Sequence, residues 1–591
     1  MAWYDEAVFY HIYPLGLAGA PAQNPYEEPV HRLRELTPWI GHMRDMGFTA
    51  LYIGPLFESV GHGYETTDYY KLDSRLGTNE DLKDFVRLCH ENGIRVILDG
   101  VFNHTGRDFF AFRNIRQNRE SSPYRDWYCG INFYGNNEYN DGFSYENWGG
   151  YNLLARLNLR NPAVRDYLFG AVRLWVSEFD IDGLRLDAAD VLDFDFMKAL
   201  RSFTNEIKPD FWLMGEVIHG EYSRWVNREM LHAVTDYALH KALYSGHNDH
   251  NYFEIAHTVR RTLGMLPPST HLYNFADNHD VERIASKLRD KAHYLPVHIL
   301  LFTLPGIPSV YYGSEFGIEG VKQWGSDASL RPWLDPAMAR NAAEQNEHAR
   351  LISLLAHFHG SAKELVWGDY SELHLTTGQF AFARGPYIIA VNNEQHEASF
   401  SVPAADGKYR GLLTEVEADC RDGRLSICLP CDGGEIFVPE ENGESRGSSS
   451  QAFDFAGAVS ETSGAASEAS GAVPEDQCEC SAHSGASKAM AQKSACTGEN
   501  AGEGENAGEG ENAGAGENAG AGESAGAGEA DVPAECEIPV GLSYEEMSVE
   551  QLQAVILQKM RSNGPVTDQM QRDVRNNIWH DSLVNWAKSF R

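Results

Sequence analysis

Between residue 7 and about residue 317, short apolar segments alternate with longer segments in which apolar residues recur every three or four positions. Short apolar runs are typical of buried strands, and the longer spacing is typical of amphipathic helices. The alternation gives eight strand-then-helix units, which favours a closed (β/α)8 barrel over an open, doubly wound sheet. The predicted strands are residues 8–13, 50–57, 95–101, 183–187, 211–217, 233–237, 271–275 and 309–312. The predicted helices include residues 32–46, 162–180, 194–207 and 294–304.

Two parts of the chain depart from this alternation. Residues 105–160, between the third strand and the next helix, are rich in Asn, Gly, Tyr and Trp and predict an inserted domain beside the barrel. The barrel itself is then predicted to comprise residues 1–104 and 161–350. Residues 351–440 contain short stretches of alternating apolar and polar positions, which predict a C-terminal antiparallel β-sandwich.

The last part of the chain changes character twice. Residues 441–535 consist largely of Gly, Ala, Ser and Glu with a six-residue repeat, and they offer too little apolar surface to fold, so we predict a disordered linker. Residues 536–591 regain helical signals, with Ser548 and Gln551 at capping-box spacing, and predict a small helical module. Docking onto the rest of the chain and binding of a partner protein both stay open for this module.

Composition narrows the classes of partner. A formal net charge of −36 argues against nucleic acid and anionic membranes. The chain has no run of eighteen apolar residues, and residues 1–9 lack a basic region followed by an apolar stretch, so neither a membrane span nor a secretory signal is predicted. The nine cysteines have no regular spacing, which favours the reducing cytoplasm over a disulfide framework.

Charged residues stand at the predicted ends of several strands. Arg185 and Asp187 alternate with leucines and therefore share one face of their strand. A buried charge needs a partner, and taken alone this pair also fits a structural salt bridge. Other strand ends carry further polar residues that a fold does not require: Asp99, His104, Glu216, His279 and Asp280. Because chemistry in a (β/α)8 barrel lies at the carboxyl ends of the strands, the set predicts an active site.

These strand ends lie in segments that resemble the signature regions of the α-amylase superfamily, glycoside hydrolase family 13. In chain order the four segments are residues 99–104, 183–187, 215–217 and 275–280, and a fifth match is residues 63–69. The resemblance covers residues 1–440 and implies the barrel, the inserted B domain and the C-terminal sandwich of that superfamily.

The resemblance also implies a role for each position. Asp187 would be the nucleophile that forms a covalent glycosyl-enzyme, Glu216 the general acid and then the base, and Asp280 the carboxylate that holds two sugar hydroxyls. A carboxylate nucleophile implies retention of anomeric configuration and a nucleophile–acid separation of about 5–5.5 Å. The residues expected to bind the substrate are Tyr64, Asp99, His104, Arg185 and His279.

The chain departs from the calcium-dependent members of the superfamily. Those members carry Lys-His after the Ala-Ala pair, where this chain has Asp190 and Val191, and residues 155–158 read Ala-Arg-Leu-Asn. Asn103 remains as a candidate calcium ligand, but the other changes predict no obligatory metal and no other cofactor. Five aromatic residues of the inserted domain are each expected to pack, although sugar stacking needs a few such rings: Trp127, Tyr128, Tyr145, Trp148 and Tyr151.

The function implied by the resemblance is cytoplasmic, retaining hydrolysis of α-1,4-glucosidic bonds in maltooligosaccharides or related α-glucans. Ala188, directly after the expected nucleophile, resembles enzymes that prefer α-1,4 bonds. Two alternatives stay open. One is a transglycosylase or a sucrose- or α-1,6-acting member of the superfamily, and the other is a catalytically inactive binding subunit.

Overall fold

Eight short parallel strands form a ring in the first part of the chain. Their order around the sheet is β6-β5-β4-β3-β2-β1-β8-β7, and a single parallel bridge between Thr235 and Tyr273 joins β6 to β7. The strands are β1 Phe9–Ile12, β2 Ala50–Ile53, β3 Arg95–Gly100, β4 Gly183–Leu186, β5 Trp212–Gly215, β6 Ala233–Val234, β7 Tyr273–Phe275 and β8 Ile307–Tyr311. The prediction of a (β/α)8 barrel is therefore confirmed.

A computed structural model describes residues 2–323, 326–440, 551–553 and 555–557 of the chain. Residues 551–553 and 555–557 are helical, and Leu552 and Ile556 are buried. The predicted linker and the rest of the predicted helical module lie outside the described residues.

Almost every residue of the barrel strands is buried, because one face of each strand fills the barrel and the other packs on helices. Alternate side chains such as Phe9, Tyr52 and Trp212 form the interior cluster, whereas their neighbours Tyr10, Leu51 and Leu213 belong to the larger core under the helices. The α-helices are α1 Pro14–Leu17, α2 Thr37–Met46, α3 Asn79–Glu91, α4 Phe110–Asn118, α5 Pro162–Phe179, α6 Phe194–Ile207, α7 Tyr237–Asn248, α8 Tyr252–Met265, α9 Ile284–Lys287, α10 Tyr294–Thr303, α11 Ala342–Gln345, α12 Glu347–Ser361 and α13 Glu364–Trp367. The 3₁₀ helices are Trp3–Glu6, Arg32–Leu36, Arg119–Ser121, Arg125–Trp127, Tyr222–Arg224, Lys291–His293, Ser314–Phe316, Ala328–Leu330 and Pro336–Ala339.

Several strands are shorter than their sequence pattern predicts. The second strand, predicted over 50–57, ends at Ile53, because Pro55 has no N–H to continue the ladder. At Gly54 a Cβ atom would lie 2.4 Å from the Cβ of Asp99, so only glycine fits beside that carboxylate. The chain resumes as a hairpin of Phe57–Ser59 and Thr66–Leu72, whose connection carries Tyr64 to the barrel rim.

The segment between β3 and α5 forms its own small antiparallel sheet. Its strands are His104–Gly106, Asn147–Trp148 and Tyr151–Arg156, with the last of these in the middle. His104 pairs with Arg156, so the first residue of the inserted sheet stands only four positions beyond the end of β3. This pairing places His104 close to the carboxyl end of β3.

An eight-stranded antiparallel sheet follows α13, as predicted. Its strands are β9 Tyr370–Leu375, β10 Gln379–Arg384, β11 Tyr387–Asn392, β12 Ala398–Pro403, β13 Gly407–Gly411, β14 Glu417–Arg421, β15 Arg424–Leu429 and β16 Gly434–Pro439. Arg384 of β10 is buried and donates to the backbone carbonyl oxygen of Thr303 in α10 at 2.9 Å, which ties this sheet to the barrel. None of the described helices is long and apolar enough to cross a membrane.

Candidate active site

The ends of β3, β4 and β5 bring the first group of predicted site residues together. These strands are neighbours, and their register places Arg185 level with both Asp99 and Met214. The ladder continues past the strands, since the N–H of Asp187 donates to Gly100 O at 3.2 Å and the N–H of Glu216 donates to Leu186 O at 2.9 Å. Backbone hydrogen bonds between the strands therefore fix the positions of the Cα atoms from which these charged side chains project.

Arg185 links three buried carboxylates. Its Nη1 donates to Asp99 Oδ1 and Oδ2 at 2.8 and 3.0 Å and to Asp187 Oδ1 at 2.9 Å. Its Nη2 lies 2.7 Å from Glu216 Oε2. The pair Arg185–Asp187, considered from the sequence as a structural salt bridge, is thus one contact of a larger cluster. Three carboxylates on one cation leave the cluster with excess negative charge, which a purely structural pair would not need.

One backbone N–H group and one hydroxyl group hold Glu216. The N–H of Ala188 donates to Oε2 at 3.1 Å, and Tyr237 OH lies 3.4 Å from Oε1. Ala188 has a φ of +47°, in the left-handed region that non-glycine residues rarely adopt. Ala188 directly follows Asp187, and its strained backbone directs the Ala188 N–H at Glu216. The strained turn therefore orients the Glu216 carboxylate relative to that of Asp187.

The predicted residues after β7 meet Tyr64 on the opposite side of the rim. His279 Nε2 lies 3.0 Å from Asp280 Oδ2 and also contacts the hydroxyl of Tyr64. The Tyr64 hydroxyl donates to Asp99 Oδ2 at 3.1 Å, which joins this group to the Arg185 cluster. The Asp280 side chain is 34% exposed, so it faces the open cleft, whereas His279 is buried.

Arg331 belongs to the site although the sequence analysis did not single it out. Its Nη2 donates to Asp280 Oδ1 at 2.9 Å and to Asp327 Oδ2 at 3.1 Å, and its Nε donates to His279 O at 3.0 Å. The guanidinium lies 4.6 Å from the centre of the Tyr13 ring. No strand-end pattern marks this loop, so its only sequence signal is an arginine four residues after an aspartate.

His104 closes the site on the side of the inserted sheet. Its ring is buried, and Nε2 has no hydrogen-bond partner among the described residues. Burial lowers the pKa of His104 to about 3, so the imidazole is neutral at physiological pH. A neutral ring nitrogen beside the cleft can exchange hydrogen bonds with a hydroxyl group without bringing a charge.

Burial and neighbouring negative charge determine the pKa of Asp187. Burial is the largest influence and raises the pKa of its carboxyl well above the ordinary value, while Arg185 acts in the opposite direction. Three other carboxylates raise it further: Glu216, Asp99 and Asp280. Burial and neighbouring negative charge therefore oppose ionisation of Asp187, and Arg185 is the cation that offsets them.

Asp280 has the opposite electrostatic environment. Its partial burial would raise its pKa, but His279, Arg331 and Arg185 together lower it well below the ordinary value. Asp280 is therefore ionised throughout the physiological range. The site thus combines an ionised carboxylate, Asp280, with a carboxyl group whose pKa is raised, Asp187, and carboxyl groups held in such different environments are suited to acid–base chemistry.

The residues around Asn103 do not resemble a calcium site. Calcium prefers six to eight oxygen ligands with several carboxylates. The Asn103 side-chain amide lies 3.3 Å from His104 Nδ1, and its backbone oxygen already accepts the Leu157 N–H at 2.9 Å. Within residues 2–323 and 326–440, no group of three or more His, Cys, Asp or Glu side chains is arranged to hold a metal ion. No step is therefore assigned to a metal, and the predicted metal independence stays a prediction.

The chain is similar in sequence to a known protein family. A family model of the alpha-amylase catalytic domain matches residues 32–364. The cyclomaltodextrinase of Geobacillus thermopakistaniensis (strain MAS1) is 29% identical over 468 residues, which is 74% of this chain and 78% of that protein. The intracellular maltogenic amylase of Bacillus subtilis is 30% identical over 294 residues, or 49% of each chain.

Solved structures show the same similarity. A crystal structure of a Thermus thermophilus protein superposes with a TM-score of 0.65 at 30% identity and covers 74% of this chain and 100% of that one. A cyclomaltodextrinase structure superposes with a TM-score of 0.66 at 25% identity and covers 74% of this chain and 78% of that one.

Proposed function

Because the chain belongs to the alpha-amylase family of glycosidases, we propose that it hydrolyses α-1,4-glucosidic bonds of maltooligosaccharides with retention of anomeric configuration. The observation that carries the proposal is the cluster in which Arg185 contacts both Asp187 and Glu216 at the carboxyl end of the barrel. Relatives named cyclomaltodextrinase and maltogenic amylase support short α-glucans as the substrate class.

The contacts of the two carboxylates assign one reacting oxygen atom to each. Arg185 occupies Oδ1 of Asp187, so Oδ2 is the atom that attacks the anomeric carbon. Glu216 Oε2 accepts from the Ala188 N–H and contacts Arg185, so Oε1, which the Tyr237 hydroxyl approaches only to 3.4 Å, carries the proton that the leaving oxygen takes up. Double displacement needs Asp187 ionised while Glu216 is protonated, and the contact from Arg185 to Asp187 favours the ionised nucleophile.

The first step forms the bond between Asp187 Oδ2 and the anomeric carbon and breaks the glycosidic bond. Glu216 gives its proton to the departing oxygen and becomes ionised. In the second step Glu216 removes a proton from water, the water oxygen bonds to the anomeric carbon, and the Asp187 ester breaks. Two inversions at one carbon restore the original configuration.

Asp280, His279, His104 and Tyr64 hold the sugar at the point of cleavage. Asp280 is ionised and anchored by Arg331, so it offers a fixed acceptor for hydroxyl groups, and these hydrogen bonds strengthen in the transition state. His104 Nε2 supplies a neutral partner from the inserted sheet. Asp99 is committed to Arg185, Tyr52 and Tyr64 and therefore orders the other groups.

We place the enzyme in the cytoplasm, supported by the relative named intracellular maltogenic amylase and by the five free cysteines of the described chain. A partner protein or self-docking for the helical module stays a proposal that the described residues do not test.

Steady-state hydrolysis of maltoheptaose tests the proposed function. Asp187→Asn keeps the shape of the side chain but removes the nucleophile, and we expect kcat to fall by about 10³-fold or more. Asp195→Asn, an exposed position on α6, is the matched control and should keep full activity. No hydrolysis by the natural chain, or equal activity in Asp187→Asn, would refute the assignment.

A further inference from the structure

Two aromatic rings at the tip of the inserted sheet are exposed side by side. Trp148 is 39% and Tyr151 is 50% exposed. Tyr128, Phe143 and Tyr145 of the same segment are at most 7% exposed and pack with the core, as the sequence analysis expected of the aromatic residues there. Single exposed aromatic residues also occur elsewhere in this segment and are common on protein surfaces, whereas two exposed rings side by side indicate a surface that contacts something.

The local backbone is built to present this pair. Gly149 and Gly150 have φ values of +61° and +83°, the left-handed region that a two-residue hairpin turn requires and that glycine adopts without strain. The turn places Trp148 directly opposite Tyr151 in the ladder. The ring centres are 6.4 Å apart with an angle of 22° between the planes, so the two rings form a nearly continuous aromatic surface.

The hairpin adjoins the active site through His104. The Trp148 ring centre lies 6.1 Å from the His104 ring centre. His104 Nε2 is buried, and among the described residues it has no hydrogen-bond partner, which marks the point where a ligand hydroxyl would bind. A ligand unit held by His104 therefore has its neighbouring unit beside Trp148 and Tyr151.

We propose that Trp148 and Tyr151 form a sugar-binding platform that stacks on the glucosyl unit next to the one held at His104, so that the enzyme selects α-glucans long enough to reach the hairpin. This inference rests on the proposed function and names a subsite for it. The flat face of a glucose ring presents C–H groups, which pack on aromatic faces without any charged partner. The platform contributes to substrate binding and takes no part in bond cleavage.

The test compares a long and a short substrate in Trp148→Ala and Tyr151→Ala variants. For maltoheptaose we expect KM to rise about tenfold in each variant with kcat within about twofold, the pattern of lost uniform binding. For 4-nitrophenyl α-glucoside, which has a single sugar unit, KM should stay unchanged. Tyr134→Ala is the matched control, because Tyr134 is a fully exposed aromatic residue of the same segment, and it should alter neither substrate.

Three results separate the outcomes. Equal KM values for maltoheptaose in the natural chain and in both variants would overturn the platform. A similar rise in KM with both substrates would also overturn it, since a disturbed fold rather than a subsite would explain that pattern. Trp148→Phe keeps an aromatic ring, so its KM for maltoheptaose must return toward that of the natural chain if the platform is correct. No turnover of either substrate by the natural chain would refute the proposed function itself.

Discussion

Asp182 anchors the strand that carries Arg185 and Asp187, and replacing it by Asn should destabilise the barrel without touching the chemistry. Asp182 directly precedes β4 and is buried at the opposite end of the strand from the active site. Its carboxylate accepts hydrogen bonds from the His90 ring at 2.7 Å, the Val96 N–H at 2.9 Å, Arg95 at 2.9 Å and Lys208 at 3.1 Å.

The expected loss of folding free energy follows from the pKa of the Asp182 carboxyl. Burial alone would raise it, but His90, Lys208 and the Val96 N–H lower the pKa of Asp182 from 3.8 to about 2. Lowering the pKa from 3.8 to about 2 corresponds to about 2.5 kcal/mol of folding free energy at neutral pH. This stabilisation is fully present above the unfolded pKa of 3.8 and is lost as pH falls through about 2, so roughly 1 kcal/mol is left at pH 2.5.

Urea unfolding followed by tryptophan fluorescence measures this difference. Asp182→Asn should lower the free energy of unfolding by about 2–3 kcal/mol at pH 7, and the gap to the natural chain should narrow as pH is lowered toward 2.5. Asp180→Asn is the matched control, since Asp180 contacts the same lysine at 2.8 Å but is 70% exposed, and it should change stability by less than about 0.5 kcal/mol. Equal losses in both variants, or a gap that does not depend on pH, would refute the reasoning.

Three further predictions concern the chemistry. Glu216→Gln should lower kcat for maltoheptaose by about 10²–10⁴-fold but lower it far less for α-maltosyl fluoride, whose leaving group needs no proton; equal losses would contradict the general-acid role. Because burial raises the pKa of Asp187, the acid limb of the pH profile of kcat/KM should lie above pH 3.9, and a limb below that value would contradict the raised pKa. Dialysis against EDTA should leave hydrolysis unchanged, whereas loss that calcium restores would contradict the predicted metal independence.

The barrel was predictable because its strands are short, fully buried apolar runs separated by amphipathic helices. The strand boundaries were less accurate where a side chain competes with the ladder. The sixth strand, predicted over 233–237, stops at Val234, since Asp236 accepts the Leu239 N–H at 2.9 Å and caps α7 instead. The eighth begins two residues earlier than predicted, and Pro308, a residue type that is rare inside strands, lies within it.

The family and the active-site candidates were predictable for a different reason. Their motifs lie at strand ends, where the fold turns sequence order into spatial proximity. The match to the alpha-amylase catalytic domain over residues 32–364 confirms the family. Arg331 lies outside these motifs and reaches Asp280 through a loop whose path no local pattern encodes. The exposed faces of Trp148 and Tyr151 were missed likewise, because burial of an aromatic residue depends on neighbours that are distant in sequence.

The central claim is that Asp187 and Glu216 carry out a retaining double displacement, and proton NMR of the first products from maltoheptaose tests it most directly. We expect the newly formed reducing ends to appear as the α-anomer before mutarotation, with no product from Asp187→Asn. Initial release of the β-anomer would show a single displacement by water and contradict the assignment of Asp187 as the nucleophile.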